Sequence, residues 1–424
     1  MNIRACVCVV FQALCCIPAV CGAATPELLP LPAPDGRPAL HPELASDGRG
    51  NFLLVWQQGR NYFEQQESDI FALRLDGAGR PLGQPIPVCV AKGSQERPKV
   101  IFSDGVFIIA WHDLRNGRDW DVYAARVGVD GTVRDEDGFL VAGGAANQAS
   151  PAITAAPAGA LALWQHYAGR YYEIHGAFIG ASGKRGPARA LAFRGETLHG
   201  GNLSIASFGD RWVMSWKDER KWSRGESGST ITLYFASLRL NGADPEVLDV
   251  ERAPAASLGR EGGRFASDLA GSALYTAWGD IGRGHRISVG AVFGAKSAAA
   301  LANPNTEPEM QASSWNPRQV MTLFSTRIQI DGPVVAAFGD GAFLVAARQT
   351  GAAKPPYRSR ILGSRLSSAG VRLDDPDKLL LLHETDSSVA NPALAAGPDG
   401  FVLVFEQDDG PENQRLVAKS VRLR

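Results

Sequence analysis

A short apolar run with alternating side chains, closed by an aromatic residue, recurs along this chain and constrains its fold more than any other feature. Five copies end in Trp: Phe52-Leu-Leu-Val-Trp56, Phe107-Ile-Ile-Ala-Trp111, Leu161-Ala-Leu-Trp164, Trp212-Val-Met-Ser-Trp216 and Leu274-Tyr-Thr-Ala-Trp278. Two weaker copies follow, Phe343-Leu-Val-Ala-Ala347 and Val402-Leu-Val-Phe405. A repeat spaced by roughly 50–70 residues marks an architecture in which each unit buries its apolar face against the next. Seven copies predict seven units.

The second copy shows the unit best. Pro98–Phe102 leads through Asp104-Gly105 into Val106–Trp111; a polar loop precedes Asp121–Val127, and Asp130-Gly131 leads to Phe139–Ala142. Asp-Gly pairs between alternating runs are hairpin signals, so the unit reads as a four-stranded antiparallel meander. No segment keeps a 3.6-residue period, and helix is expected to be scarce. The predicted fold is all-β: a seven-bladed β-propeller of four-stranded antiparallel blades. The last unit stops after its third strand, Leu416–Val421, while an orphan piece, Glu27-Leu-Leu-Pro-Leu31, precedes the first. Pairing the two predicts a ring closed by an N-terminal strand that completes the last blade and covers its open edge. The repeated Trp residues are expected to fill the space between blades.

Residues 1–24 stand apart. Arg4, the apolar run Ala5–Val20 and the small residues Gly22-Ala23-Ala24 have the layout of a signal peptide cleaved after Ala24. A membrane anchor and a lipoprotein signal at Cys21 are the competing readings. The expected mature chain, 25–424, is one propeller domain with an insertion around 294–328, read either as a lid or docking loop or as a surface excursion. Five of the six cysteines lie in the leader, leaving Cys89 as a buried strand residue without a disulfide partner. Beyond the leader no apolar stretch is long enough to span a bilayer, so a secreted protein, periplasmic or extracellular, is expected, and a monomer. A net charge of -1 argues against nucleic acid as a partner.

The segment Trp111-His-Asp-Leu-Arg-Asn-Gly-Arg-Asp-Trp-Asp-Val-Tyr-Ala-Ala-Arg-Val127 resembles the Trp-x-Asp-x-Arg-x-Gly-x-x-Asp-Ile-Tyr-Ala-x-Arg repeat of secreted bacterial β-propeller proteins. Partial copies stand at Trp216-Lys-Asp-Glu-Arg220, Trp278-Gly-Asp280 and Ser68–Arg74. The resemblance implies a fold and a compartment. It implies no reaction.

Antiparallel order puts the tight Asp-Gly turns on one face and the longer second-to-third loops and inter-unit connections on the other, whose central mouth is the default ligand site. The candidate ligand-binding residues there are Arg97, His112, His166, His199, Asn202, Arg264 and Arg348. Asp113 with Arg115, and Asp218 with Arg220, recur between units and read as structural pairs. No catalytic residue is assigned. The leading expectation is a non-enzymatic binding or scaffold protein for a glycan, peptide or protein partner. The alternative is a carbohydrate-active enzyme, a glycoside hydrolase or lyase, with Asp113, Asp218, Asp280 and Glu261 as the carboxylates a hydrolase would oppose across the mouth. No cofactor or metal is expected; a calcium ion in the loop Asp113-x-x-Asn116-x-x-Asp119-x-Asp121 is a weaker reading.

Overall fold

The structure, a computed structural model, describes residues 27–60, 67–167, 169, 172–191, 203–208, 211–218, 231–258, 266–270, 273–280, 285–291, 320–326, 329–338, 343–350, 358–367, 371–375, 378–410 and 414–422. The leader 1–24 lies outside these residues.

The chain is all-β, with no helix among the described residues. After Leu29–Pro30 (β1), six four-stranded antiparallel meanders follow one another. They are Ala39–Ser46, Phe52–Gln58, Asp69–Leu75 and Ile86–Cys89 (β2–β5); Gln95–Ser103, Val106–Asp113, Asp121–Gly128 and Phe139–Ala142 (β6–β9); and Gln148–Ala156, Gly159–Tyr167, Tyr172–Gly180 and Arg189–Ala190 (β10–β13). Then come Ser204–Phe208, Arg211–Asp218, Ile231–Asn241 and Asp244–Leu258 (β14–β17); Ala266–Ala270, Ala273–Asp280, His285–Ala291 and Val320–Thr326 (β18–β21); and Gln329–Ala337, Phe343–Thr350, Ser359–Leu366 and Leu380–Thr385 (β22–β25). A last sheet takes Ser388–Gly397, Gly400–Asp408 and Gln414–Val421 (β26–β28), and its fourth strand is β1, with Leu29 opposite Ala418 and Pro30 opposite Val417. Pro30 has no N–H to give to a ladder, which suits it to this outer position.

The recurring aromatic runs are the second strands, and Trp56, Trp111, Trp164 and Trp216 lie between sheets. Trp56, Phe52 and Leu54 pack with Val402, Val404 and Ala418 of the last sheet. Trp111, Phe107 and Ile109 pack on Leu53 and Val55, and Trp164 on Ile108 and Ala110. Trp56, Trp111 and Trp164 are fully buried. Each first strand touches the first strand of the next sheet, from β2 through β6, β10, β14, β18 and β22 to β26, and β26 touches β2.

One detail differs from the sequence reading. Residues 320–326, counted within the insertion, form β21, because they supply the partner that β20 needs along its outer edge; 292–319 lie outside the described residues. Cys89 is buried as expected, and burial pushes its thiol up to about 12, which removes it as a nucleophile.

Gly138 shows how tightly a Trp is held. It sits at a φ of 73°, and a Cβ there would run into the Trp111 ring and stand 2.9 Å from the Ala124 carbonyl oxygen. Gly138→Ala is therefore expected to cost about 1–3 kcal/mol through overpacking. A lower denaturant midpoint at an unchanged m value would register the loss.

Candidate functional site

The first strands share a local irregularity that builds a cavity. In five of them the register slips by a bulge, between Leu40 and Glu43, Glu96 and Lys99, Ala149 and Ala152, Asp331 and Val334, and Ala390 and Ala393. Each bulge places a residue in the left-handed region directly before a proline: His41 at φ 52°, Arg97 at 52°, Ser150 at 53°, Gly332 at 57° and Asn391 at 44°. Four of these five are not glycine, and that conformation costs of order 1–3 kcal/mol unless the surroundings enforce it. The bulges line a cavity of about 280 Å³ at the meeting of β2, β6, β10, β14, β22 and β26.

The cavity lining includes charged and polar residues. Arg97 is exposed, and its guanidinium has no ion-pair partner among the described residues; His41 lies at the equivalent position of the neighbouring first strand. Two residues further along those strands, Lys99 and Glu43 form an ion pair within the lining.

The backbone of three bulges, those of β2, β6 and β10, is held from the adjacent sheet by the residue that follows the aromatic position. Gln57 accepts from the Arg97 N–H at 3.3 Å, and Glu406 accepts from the His41 N–H and from the Asn391 side-chain amide, both at 2.6 Å. His112 is another such residue: its Nδ1 accepts from the Ser150 N–H at 3.1 Å, its ring lies 4.5 Å from that of Trp120, and burial holds its pKa below the usual imidazole value. Arg348 donates from Nη1 to the Val389 carbonyl at 3.4 Å. His112 and Arg348, candidate ligand contacts by sequence, are each engaged between sheets. Both tie one sheet to the next, and His112 is only 6% exposed.

Asp113 accepts from the Trp111 indole N–H at 2.9 Å and binds the Arg115 guanidinium at 2.6 Å, so this pair anchors its loop to the sheet. Asn116 donates to Asp121 and accepts from the backbone of Arg118 and Asp119, while both Asp113 oxygens are engaged. His199, Asn202, Arg220, Glu261 and Arg264 lie outside the described residues, as do the side chains of Asp218 and Asp280.

His166 joins two residues that sequence reasoning missed. It faces Glu173 across β11 and β12, and His175 lies two residues further along β12, so all three share one face of the sheet. The rings of His166 and His175 are 4.5 Å apart, and His175 Nε2 is 3.1 Å from Glu173 Oε2. Burial, then the neighbouring His175, lowers the pKa of His166. The signal was a Glu-x-His alternation on the strand after His166, legible only once the hairpin register is known.

No protein-family model matches the sequence, and no curated protein matches it. Solved structures do. An ulvan lyase of a polysaccharide lyase family aligns with a TM-score of 0.57 at 10% identity, covering 91% of this chain and 94% of that one. The same family's structure bound to a glucuronate-containing glycan gives 0.57 at 9% identity. A Trypanosoma rangeli sialidase aligns at 0.44 and 10% identity, over 80% of this chain and 56% of the other. Against the expectation of a non-enzymatic binding or scaffold protein, the solved structures that share this fold at a TM-score of 0.57 are polysaccharide lyases. No described helix is long and apolar enough to cross a membrane.

Proposed function

We propose that this chain is a secreted seven-bladed β-propeller whose axial mouth cleaves a uronate-containing polysaccharide by β-elimination. The ring reading is supported by the seven four-stranded sheets, by β1 as the outer strand on β28, and by the contact of β26 with β2. The glycan reading is supported by the lyase fold among the neighbours.

One observation carries the choice of chemistry: the exposed guanidinium of Arg97, without an ion-pair partner among the described residues, shares a cavity lining with His41. Elimination next to a carboxylate needs a cation to neutralise the acid and a base to take the C5 proton. Arg97 suits the first task, since a planar guanidinium binds a carboxylate through two parallel hydrogen bonds. His41 suits the second. The C5–H electrons form the C4=C5 double bond, the C4–O bond breaks, and the departing oxygen takes a proton back from the imidazolium. Hydrolysis fits less well, because it requires two opposed carboxylates. Among the described lining residues Glu43 is the one carboxylate, and it is paired with Lys99.

The test is incubation with a panel of uronate polysaccharides and a neutral control, followed by ultraviolet absorbance of the unsaturated uronide. Absorbance that rises only with uronate substrates is the expected result. New reducing ends without the chromophore would replace elimination by hydrolysis, and neither signal would remove the catalytic reading.

A further inference from the structure

We propose that His166, Glu173 and His175 form a binding site for a divalent transition metal of the zinc type, with two imidazole ligands, one carboxylate and an open position. The site stands on its own geometry and does not rest on the lyase reading.

Two strands build it. His166 on β11 and Glu173 on β12 are directly opposite, and His175 is the diagonal neighbour, so antiparallel register brings all three to one face. Their ligand atoms all lie within 4.8 Å of one another. His175 Nε2 and Glu173 Oε2, at 3.1 Å, already stand near the edge length of about 3.3 Å expected for a tetrahedron with metal–ligand bonds of roughly 2.0 Å. Imidazole with carboxylate, in a half-buried place that leaves a fourth position open, is a donor set suited to zinc.

The next layer of contacts orients the first ligand. The Gln148 amide nitrogen donates to the Ala146 carbonyl at 3.0 Å, which turns the Gln148 carbonyl oxygen toward His166 Nδ1, 2.6 Å away. Nδ1 must therefore carry the proton, and the Nε2 lone pair is left for a metal. A histidine ligand whose other nitrogen donates to a fixed oxygen is the usual arrangement in metal sites.

An independent observation comes from the repeat. In the first two sheets the buried Trp donates its indole N–H to the residue two positions on, Trp56 to Gln58 at 2.7 Å and Trp111 to Asp113 at 2.9 Å. In the third sheet that position is His166, and the indole nitrogen of Trp164, on a fully buried side chain, has no hydrogen-bond partner among the described residues. The Trp164 ring lies 6.2 Å from that of His175, on the same face as the three ligands. A buried donor left unpaired costs free energy. This unit thus gives up an internal hydrogen bond to hold an imidazole at the cluster.

The full chain, stripped with a chelator and titrated with Zn²⁺ by calorimetry, should bind one ion, and the cobalt-substituted protein should show the visible bands of a tetrahedral site. His175→Ala should abolish binding. Gln148→Ala, which removes only the orienting oxygen, should weaken it by about 10–100-fold. His175→Phe keeps a ring against Trp164 and should also fail to bind while folding normally. Absence of Zn²⁺ binding in the parent protein, or unchanged affinity in His175→Phe, would overturn the proposal. Loss of polysaccharide cleavage with intact Zn²⁺ binding would touch only the catalytic reading.

Discussion

Arg97→Ala is expected to lower kcat/KM on a uronate polysaccharide by at least about 10²-fold, the order seen when one preorganised group that stabilises developing charge is removed. Deprotonation at C5 pushes negative charge onto the carboxylate, and the guanidinium is the described cation free to meet it. Thermal stability should hardly change. The Arg97 side chain is exposed and forms no ion pair among the described residues, and the bulge is held through its backbone N–H by Gln57, which alanine retains. Steady-state kinetics beside a melting curve checks both halves. Equal kcat/KM in the variant and the parent would remove Arg97 from the reaction, and a large drop in melting temperature would recast it as structural. Arg97→Lys should recover only part of the rate, since an ammonium cannot make the paired contact.

Asp113→Ala should have the opposite profile, a loss of about 3–5 kcal/mol in stability, as when one partner is removed from a buried ion pair. The carboxylate is fully buried, and its two oxygens serve the Trp111 indole, the Arg115 backbone and the Arg115 guanidinium. Its removal strands an indole N–H and a half-buried cation beside Tyr123, over whose ring Arg115 stands at 3.8 Å. Asp113→Asn keeps an oxygen for the indole and should lose less. Denaturant unfolding of the two variants gives the comparison. A stable Asp113→Ala protein without activity would move Asp113 from the scaffold into the site.

These two residues show how far the sequence could be read. Asp113 and Arg115 repeat in part between units, and repetition across units with different mouths points to scaffolding. Arg97 was legible as a candidate because it precedes a strand on the long-loop face. His41, Ser150, Gly332 and Asn391 carry the same signal, a residue before proline at the start of a first strand, yet only the alignment of the bulges reveals them as equivalent positions. Strand order put His112 on the long-loop face, and the structure buries it. Its place next to the aromatic makes it a tie between sheets.

The sequence by itself determined the strands, the tight turns, the repeat and the chain ends that pair, since these follow from alternation, Asp-Gly chemistry and spacing, all local in the chain. Only the tertiary structure decided which polar groups meet. Glu406 reaches His41 across 365 positions, and Glu173 and His175 join His166 through hairpin register. Side chains acquire such partners through the packing of sheets, and no local pattern records where a distant strand will lie.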